Sequence, residues 1–132
     1  MRPRITHICL HVDNLEDCVR FYRRYCQMEV IEDLSRGGEG SVYMSEPGRQ
    51  TDLVFQFMGG GRSHVPAEND ERHFGFVVES REAVDVVAKM AREDGVLFFE
   101  ADEYLPGAYL CTVKDPNGNC VEFSFGHKVP PA

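Results

Sequence analysis

Residues 7–22, HICLHVDNLEDCVRFY, and residues 73–89, HFGFVVESREAVDVVAK, follow the same plan. Each stretch begins with a histidine, continues as a strand that alternates polar and apolar residues, reaches a polar helix cap, and ends in helical spacing. A short chain that repeats one strand and helix unit carries matching polar residues in two modules. We therefore expect a functional site between the two copies.

The composition excludes several functional classes. The chain has 132 residues and a formal net charge of -8, whereas a protein that binds nucleic acid needs a basic surface. No stretch approaches the about 20 apolar residues of a membrane span, and the start lacks the pattern of a signal peptide. The five cysteines never occur as CxxC, which favours reduced thiols. The sequence predicts a cytoplasmic protein with no nucleic-acid or membrane partner.

Module one, about residues 4–57, is predicted to have the order βαβββ. Asp13 or Asn14 can cap a helix that begins near Leu15. A linker over about residues 58–72 follows, because this segment contains three consecutive glycines and lacks periodicity. The predicted strands of module one cover residues 5–12, 28–33, 41–45 and 52–57.

Module two, about residues 73–126, repeats the order. Ser80 caps a predicted helix that runs to about Asp94, and Gly95 ends it. The tetrapeptide Asp115-Pro116-Asn117-Gly118 predicts a turn between the last two strands. The predicted strands cover residues 73–78, 96–100, 109–114 and 120–125. The expected fold is α+β, a single domain over residues 1–132 made of two tandem βαβββ modules.

Several predicted strands have one apolar face and one polar face. Because side-chain direction alternates along a strand, His7, Cys9 and His11 share one face of the first strand. His73 stands on the equivalent face in module two, and Glu122 on that of the last strand. If the sheets curl so that these faces look inward, two imidazoles and a carboxylate converge on one cavity. Such a set suits Fe(II), Mn, Ni or Zn.

The motifs together resemble the vicinal oxygen chelate superfamily, also called glyoxalase/bleomycin resistance/dioxygenase. The resemblance rests on HICLHVDNLEDCVRFY, RHFGFVV and the ending DPNGNCVEF, and it spans essentially the whole chain. It implies a curved, incomplete barrel around a metal-site cavity. It also implies that His7, His73 and Glu122 are the metal ligands, because a glutamate after the DPNGN turn is a ligand in that superfamily.

A fourth ligand is expected on the last strand of module one, as in glyoxalase I. Matching Asp52-Leu53 to Glu122-Phe123 favours Asp52, whereas Gln56 lies two pleats further along the strand. A different internal match places Val54 opposite Glu122, and all three side chains would face the cavity. Asp52 is preferred because a carboxylate is the commoner partner for two imidazoles and a glutamate.

The remaining polar residues receive lesser roles. Cys9, His11, Gln56 and Ser124 are predicted to line the cavity, and His64 and His127 are assigned no role.

The resemblance implies lactoylglutathione lyase-like isomerisation of a thiohemiacetal through a metal-stabilised enolate. Glu122 and Asp52 are the catalytic candidates, as general bases. The expected cofactor is a divalent ion: Ni, Zn, Mn or Fe(II). The expected substrate is a small molecule, with a glutathione adduct as the candidate. The expected assembly is a homodimer. Three alternatives stay open. The first is a single-domain Fe(II) dioxygenase acting on catechol-like substrates, and the second is a metal-free protein that binds an antibiotic, as bleomycin-resistance proteins do. The third is a metal-dependent thiol or water transferase acting on fosfomycin, for which the sequence shows no basic cluster to bind a phosphonate.

Overall fold

The computed structural model describes residues 1–62 and 66–128, and this part of the chain contains two helices and eight strands. It divides into two compact units, Met1–Val65 and Pro66–Ala132. Each unit has the order βαβββ and one four-stranded sheet that does not close on itself. The predicted α+β class and the duplicated βαβββ modules are confirmed. The prediction that the whole chain is one domain stays a prediction.

The first unit contains a sheet of order β1-β4-β3-β2 and one helix. Strand β1 pairs with β4 in parallel, and the other neighbours are antiparallel. Its elements are β1 His7–His11, α1 Leu15–Cys26, β2 Glu29–Asp33, β3 Gly40–Ser45 and β4 Val54–Gly59.

Helix α1 begins and ends at clear local signals. The side chain of Asn14 accepts a hydrogen bond from the Asp17 backbone N–H at 3.0 Å, so Asn14 is the cap. Gln27 ends the helix in the left-handed conformation. The apolar stripe of the helix buries Tyr22, whose ring stacks on that of Phe57 at 4.9 Å between centroids. This packing directs the apolar side of the sheet to the helix and leaves the polar side of β1 and β4 uncovered by α1.

The second unit repeats the arrangement with a sheet of order β5-β8-β7-β6. Ser80 accepts a hydrogen bond from the Ala83 backbone N–H at 3.1 Å, and Gly95 ends the helix at a φ of 74°, as predicted. Its elements are β5 His73–Val77, α2 Arg81–Asp94, β6 Leu97–Leu105, β7 Ala108–Lys114 and β8 Cys120–Phe125.

The predicted turn before β8 is confirmed, and the Asp115 side chain stabilises it. One carboxylate oxygen of Asp115 accepts hydrogen bonds from the backbone N–H groups of Asn117 and Asn119, at 2.9 and 2.8 Å. The Gly118 N–H donates to the Asp115 carbonyl oxygen at 3.0 Å. This turn fixes where β8 begins, and therefore which of its side chains face each side of the sheet.

Three predicted strand ranges were wrong by two residues or more, and the first of them, predicted over residues 5–12, covers only His7–His11. The strand predicted over residues 52–57 begins at Val54 and continues to Gly59, because the Asp52 N–H donates to the Arg49 carbonyl and closes a turn. The strand predicted over residues 96–100 runs to Leu105, because β6 pairs with β7 through several bulges. The predicted linker accordingly loses residues 58 and 59 to β4. His64 lies outside the described residues.

Candidate metal and substrate site

The first strand of each unit alternates in exposure as the sequence predicts. In β1 the side chains of His7, Cys9 and His11 are exposed, and the two residues between them are half-buried. In β5 the exposed positions begin with His73 and include Gly75. Each unit therefore presents its first histidine on the side of the sheet that faces away from its apolar core.

A groove of about 450 Å³ lies on the polar side of the first unit. Its lining includes His7, Gln56, Tyr43 and Arg4, together with the apolar side chain of Val54. A groove with one imidazole, an amide, a phenol and a guanidinium can hold a small polar molecule. The first unit thus combines a candidate metal donor with a candidate binding groove.

The parallel strand pairs give the two units the same register. In the first unit His7 pairs with Val54, and Gln56 stands two residues further along β4. In the second unit His73 pairs with Cys120, and Glu122 stands two residues further along β8. Gln56 is therefore the internal equivalent of Glu122.

Asp52, the preferred fourth ligand of the sequence analysis, lies before β4 rather than on it. Its side chain is exposed, and its carboxylate accepts a hydrogen bond from Arg49 Nε at 3.0 Å. This bond, together with the charge of Glu46, raises the pKa of Arg49. The prediction that Asp52 lies on a strand was wrong, and its carboxylate forms an exposed ion pair with Arg49.

Gln56 is held so that its amide oxygen remains available. Its Nε2 donates to Ser41 Oγ at 2.9 Å, and Ser41 is buried. Because the amide nitrogen is engaged, Oε1 is the atom that Gln56 can offer to a ligand or a metal ion.

His73 presents a lone pair to Glu122. Its Nδ1 lies 2.8 Å from the carbonyl oxygen of Glu71, and a carbonyl oxygen can only accept a hydrogen bond. Nδ1 therefore carries the proton, and Nε2 carries the lone pair in the neutral ring. Nε2 lies 3.9 Å from Glu122 Oε1, too far for a hydrogen bond. A hydrogen bond from the other ring nitrogen to a carbonyl is also the usual way in which a metal-binding histidine is oriented.

Two electron-rich atoms that face each other repel unless a proton or a cation stands near both. The Glu122 side chain is only 12% exposed, so water shields this repulsion incompletely. A cation bound by both atoms converts the repulsion into attraction, which is the fit expected of a metal-ligand pair. His7 is restrained in a related way, since its Nδ1 lies 2.9 Å from Thr6 Oγ1.

His127 is a neighbour of Glu122 that sequence reasoning missed. Its Nδ1 lies 3.4 Å from Glu122 Oε2, the carboxylate oxygen that does not face His73. Gly75, which pairs with Glu122 across β5 and β8, leaves the space beside that oxygen open. The one local sequence feature that could have indicated this position of His127 is Gly126 before it, which permits a sharp turn directly after the last strand.

The other predicted lining residues differ in exposure. Cys9 is exposed, whereas Ser124 is buried, although it lies on the same face of β8 as Glu122. The His11 ring packs directly against the backbone of Gly61, where an added Cβ would collide with Nδ1. The cavity-lining roles of Cys9, His11 and Ser124 stay predictions.

The described residues contain neither a ready cluster of three metal donors nor a helix that could span a membrane. Across residues 1–62 and 66–128, no group of three or more histidine, cysteine, aspartate or glutamate side chains has the spacing to hold a metal ion. In the same part of the chain, neither helix is long and apolar enough to span a membrane.

Comparisons with known proteins agree with the fold. Residues 4–123 match the family model of the Glyoxalase/Bleomycin resistance protein/Dioxygenase superfamily. The protein PA2024 of Pseudomonas aeruginosa is 43% identical over 134 residues, which cover 99% of this chain and 94% of the relative.

Two solved structures illustrate the structural likeness. A glyoxylase/bleomycin resistance protein/dioxygenase domain from Frankia sp. EAN1pec has a TM-score of 0.72 and 21% identity, and the match covers 96% of this chain and 100% of that chain. The fosfomycin resistance protein FosX from Listeria monocytogenes has a TM-score of 0.73 and 22% identity, with 96% of both chains covered. At such identities these matches show a shared fold.

Proposed function

Because the chain belongs to the Glyoxalase/Bleomycin resistance protein/Dioxygenase superfamily, we propose that it is a divalent-metal-dependent enzyme of the glyoxalase type. The proposed reaction is a lactoylglutathione lyase-like isomerisation of a thiohemiacetal. The observation that carries the proposal is the pair of His73 Nε2 and Glu122 Oε1, two potential metal donors 3.9 Å apart, of which the carboxylate is only 12% exposed.

The proposed metal donors are His7, His73 and Glu122, with Gln56 in preference to Asp52. Gln56 is supported by its register, by its place in the groove with His7, and by the hydrogen bond that leaves Oε1 available. Two imidazole nitrogens, a carboxylate oxygen and an amide oxygen suit Ni, Zn, Mn or Fe(II). The chemistry of these donors therefore suits a divalent ion of intermediate softness, and binding would have to draw them together, since the described residues contain no ready group of three or more histidine, cysteine or acidic donors.

Glu122 is the proposed general base. When bound, a divalent ion supplies Lewis-acid stabilisation of negative charge that develops on substrate oxygens. Glu122, once loosened from the ion, would accept the proton from the substrate carbon and return it to the neighbouring carbon, as isomerisation requires. Asp52 is left out of this scheme, because its carboxylate is exposed and binds Arg49.

The groove of the first unit is the proposed site for the part of the substrate that does not react. Arg4, Gln50 and Thr51 line it and could bind carboxylate or peptide groups, such as those of a glutathione adduct. A homodimer is part of the proposal, because both open sheets have edge strands that a partner can cover. A cytoplasmic location stays a prediction.

The test is an activity assay on protein loaded separately with Ni, Zn, Mn and Fe(II). We expect D-lactoylglutathione from methylglyoxal and glutathione with at least one metal, and loss of that activity in Glu122→Gln. Asp52→Asn is the matched control, and we expect it to retain activity. Oxygen uptake with catechols in the Fe(II) protein alone would favour the dioxygenase instead. Binding of an aromatic antibiotic that survives chelation, without turnover, would favour the metal-free binding protein.

A further inference from the structure

We propose that His127 is a positioning residue that holds the Glu122 carboxylate in the orientation needed for metal binding. This inference rests on the proposed function, since it assigns Glu122 Oε1 to the metal ion. His127 would donate its Nδ1–H to Oε2 and thereby keep Oε1 turned toward His73. All the residues in this argument belong to the second unit.

The contacts divide the two oxygens of Glu122 between two histidines. Oε1 lies 3.9 Å from His73 Nε2, and Oε2 lies 3.4 Å from His127 Nδ1. A contact of 3.4 Å is longer than an ideal hydrogen bond, and hydrogen bonds at catalytic sites are often long before a ligand is bound. Carboxylates that bind metals are themselves commonly hydrogen-bonded by outer residues, which restrict their rotation.

The fold brings His127 back to the sheet through one glycine. Strand β8 ends at Phe125, and Gly126 takes a φ of 80°, a conformation that residues other than glycine rarely adopt. A Cβ at Gly126 would collide with the carbonyl oxygen of Gly107 in the β6–β7 hairpin. The close approach of these two backbones sets the direction in which the chain leaves β8, and hence the place of His127.

Gly75 leaves room for the Glu122 carboxylate on the other side, because it has no side chain. A Cβ at Gly75 would lie 3.3 Å from Glu122 Oε2, which is already tighter than an ordinary contact. The carboxylate thus lies between the β5 backbone and the His127 ring, with only 12% of the Glu122 side chain exposed. With His127 removed, the carboxylate can rotate away from His73, and binding a metal would then require the ordering of a mobile group.

His127 is assigned to Glu122 rather than to the metal ion itself. The contact that the structure gives His127 is with Glu122 Oε2, whereas the contact of His73 is with Oε1. The inference therefore predicts weaker metal binding without His127, whereas removal of a ligand should abolish it.

The experiment measures metal affinity directly, by competition of the apoprotein with a chromophoric chelator for Zn and for Co(II). We expect His127→Ala to lower affinity by about 10-fold to 100-fold, the usual effect of losing an outer hydrogen-bond partner. His127→Asn should restore most of that loss, because its amide N–H can donate from nearly the same place as Nδ1–H. Lys128→Ala is the matched control at the next, exposed position of the chain, and its affinity should equal that of the wild type.

The Co(II) absorption spectrum provides a second readout that a general loss of stability would not change. We expect the d–d bands of His127→Ala to shift, and those of His127→Asn to match the wild type. Equal affinity and equal spectra in wild type and His127→Ala would overturn the inference while the proposed function stands. A wild-type apoprotein that takes up neither metal would overturn both.

Discussion

Replacing Gly75 with alanine should separate the stability of the protein from its affinity for metal. Gly75 lies in β5 directly opposite Glu122, and its φ is outside the left-handed region. Alanine can therefore adopt the backbone conformation without strain. The added methyl group, however, would lie 3.3 Å from Glu122 Oε2. The carboxylate must move by a few tenths of an ångström to accommodate it.

The expected effects of Gly75→Ala on the free energy of unfolding and on metal affinity have opposite signs. Glycine within a strand is less favourable than alanine by about 0.5–1 kcal/mol, so Gly75→Ala should raise the free energy of unfolding slightly or leave it unchanged. A displaced Glu122 carboxylate should lower metal affinity by about 10-fold, the lower end of the range for disturbed outer contacts. A tenfold loss corresponds to about 1.4 kcal/mol of binding free energy.

The assay combines urea denaturation of the apoprotein with chelator competition for Zn. Val77→Thr is the matched control, because Val77 is exposed and lies on the same face of β5 as Gly75. Unchanged Zn affinity in Gly75→Ala would refute the reasoning about Glu122. A fall in stability together with affinity would show that the methyl group disturbs the sheet rather than the carboxylate.

Three further predictions concern the stability and reactivity of the units. Phe57→Ala should lower the free energy of unfolding by about 3–5 kcal/mol, since Phe57 is fully buried against Tyr22, and a urea titration that shows less than 1 kcal/mol would contradict this packing. Burial raises the pKa of the Cys111 thiol to about 12. Because the thiol ionises in the unfolded chain first, the free energy of unfolding should fall as pH rises from 9 toward 12. A Cys111→Ala variant with the same pH dependence would contradict this assignment to Cys111. Ser41→Ala should weaken Zn binding several-fold, because the buried Ser41 hydroxyl accepts the hydrogen bond that holds the Gln56 amide in place. If chelator competition shows no change in Zn affinity, Gln56 is removed from the proposed ligands.

Local sequence patterns were sufficient to predict most of the fold. The first helix cap, predicted at Asp13 or Asn14 and found at Asn14, the cap at Ser80, the stop at Gly95 and the turn at residues 115–118 all act through contacts between near neighbours in the chain. Strand alternation likewise depends only on the backbone. These features could therefore be predicted before any tertiary contact was known.

The features that were missed depend on contacts between distant parts of the chain. The bulges that lengthen β6 arise from its pairing with β7, and the equivalence of Gln56 with Glu122 follows from the register of two parallel pairs. His127 reaches Glu122 because Gly126 packs against the β6–β7 hairpin. Neither a parallel register nor a hairpin contact leaves a periodic signal in the sequence.

The most direct test of a metal site is elemental analysis of untagged protein purified without chelator, beside a His73→Ala variant. The account predicts near-stoichiometric Ni, Zn, Mn or Fe in the wild type and loss of that metal in the variant, because His73 Nε2 is free to bind a cation next to Glu122. The identity of the metal would then choose between isomerase and oxygenase assays. Absence of metal from both proteins, even after reconstitution, would contradict the proposed metalloenzyme.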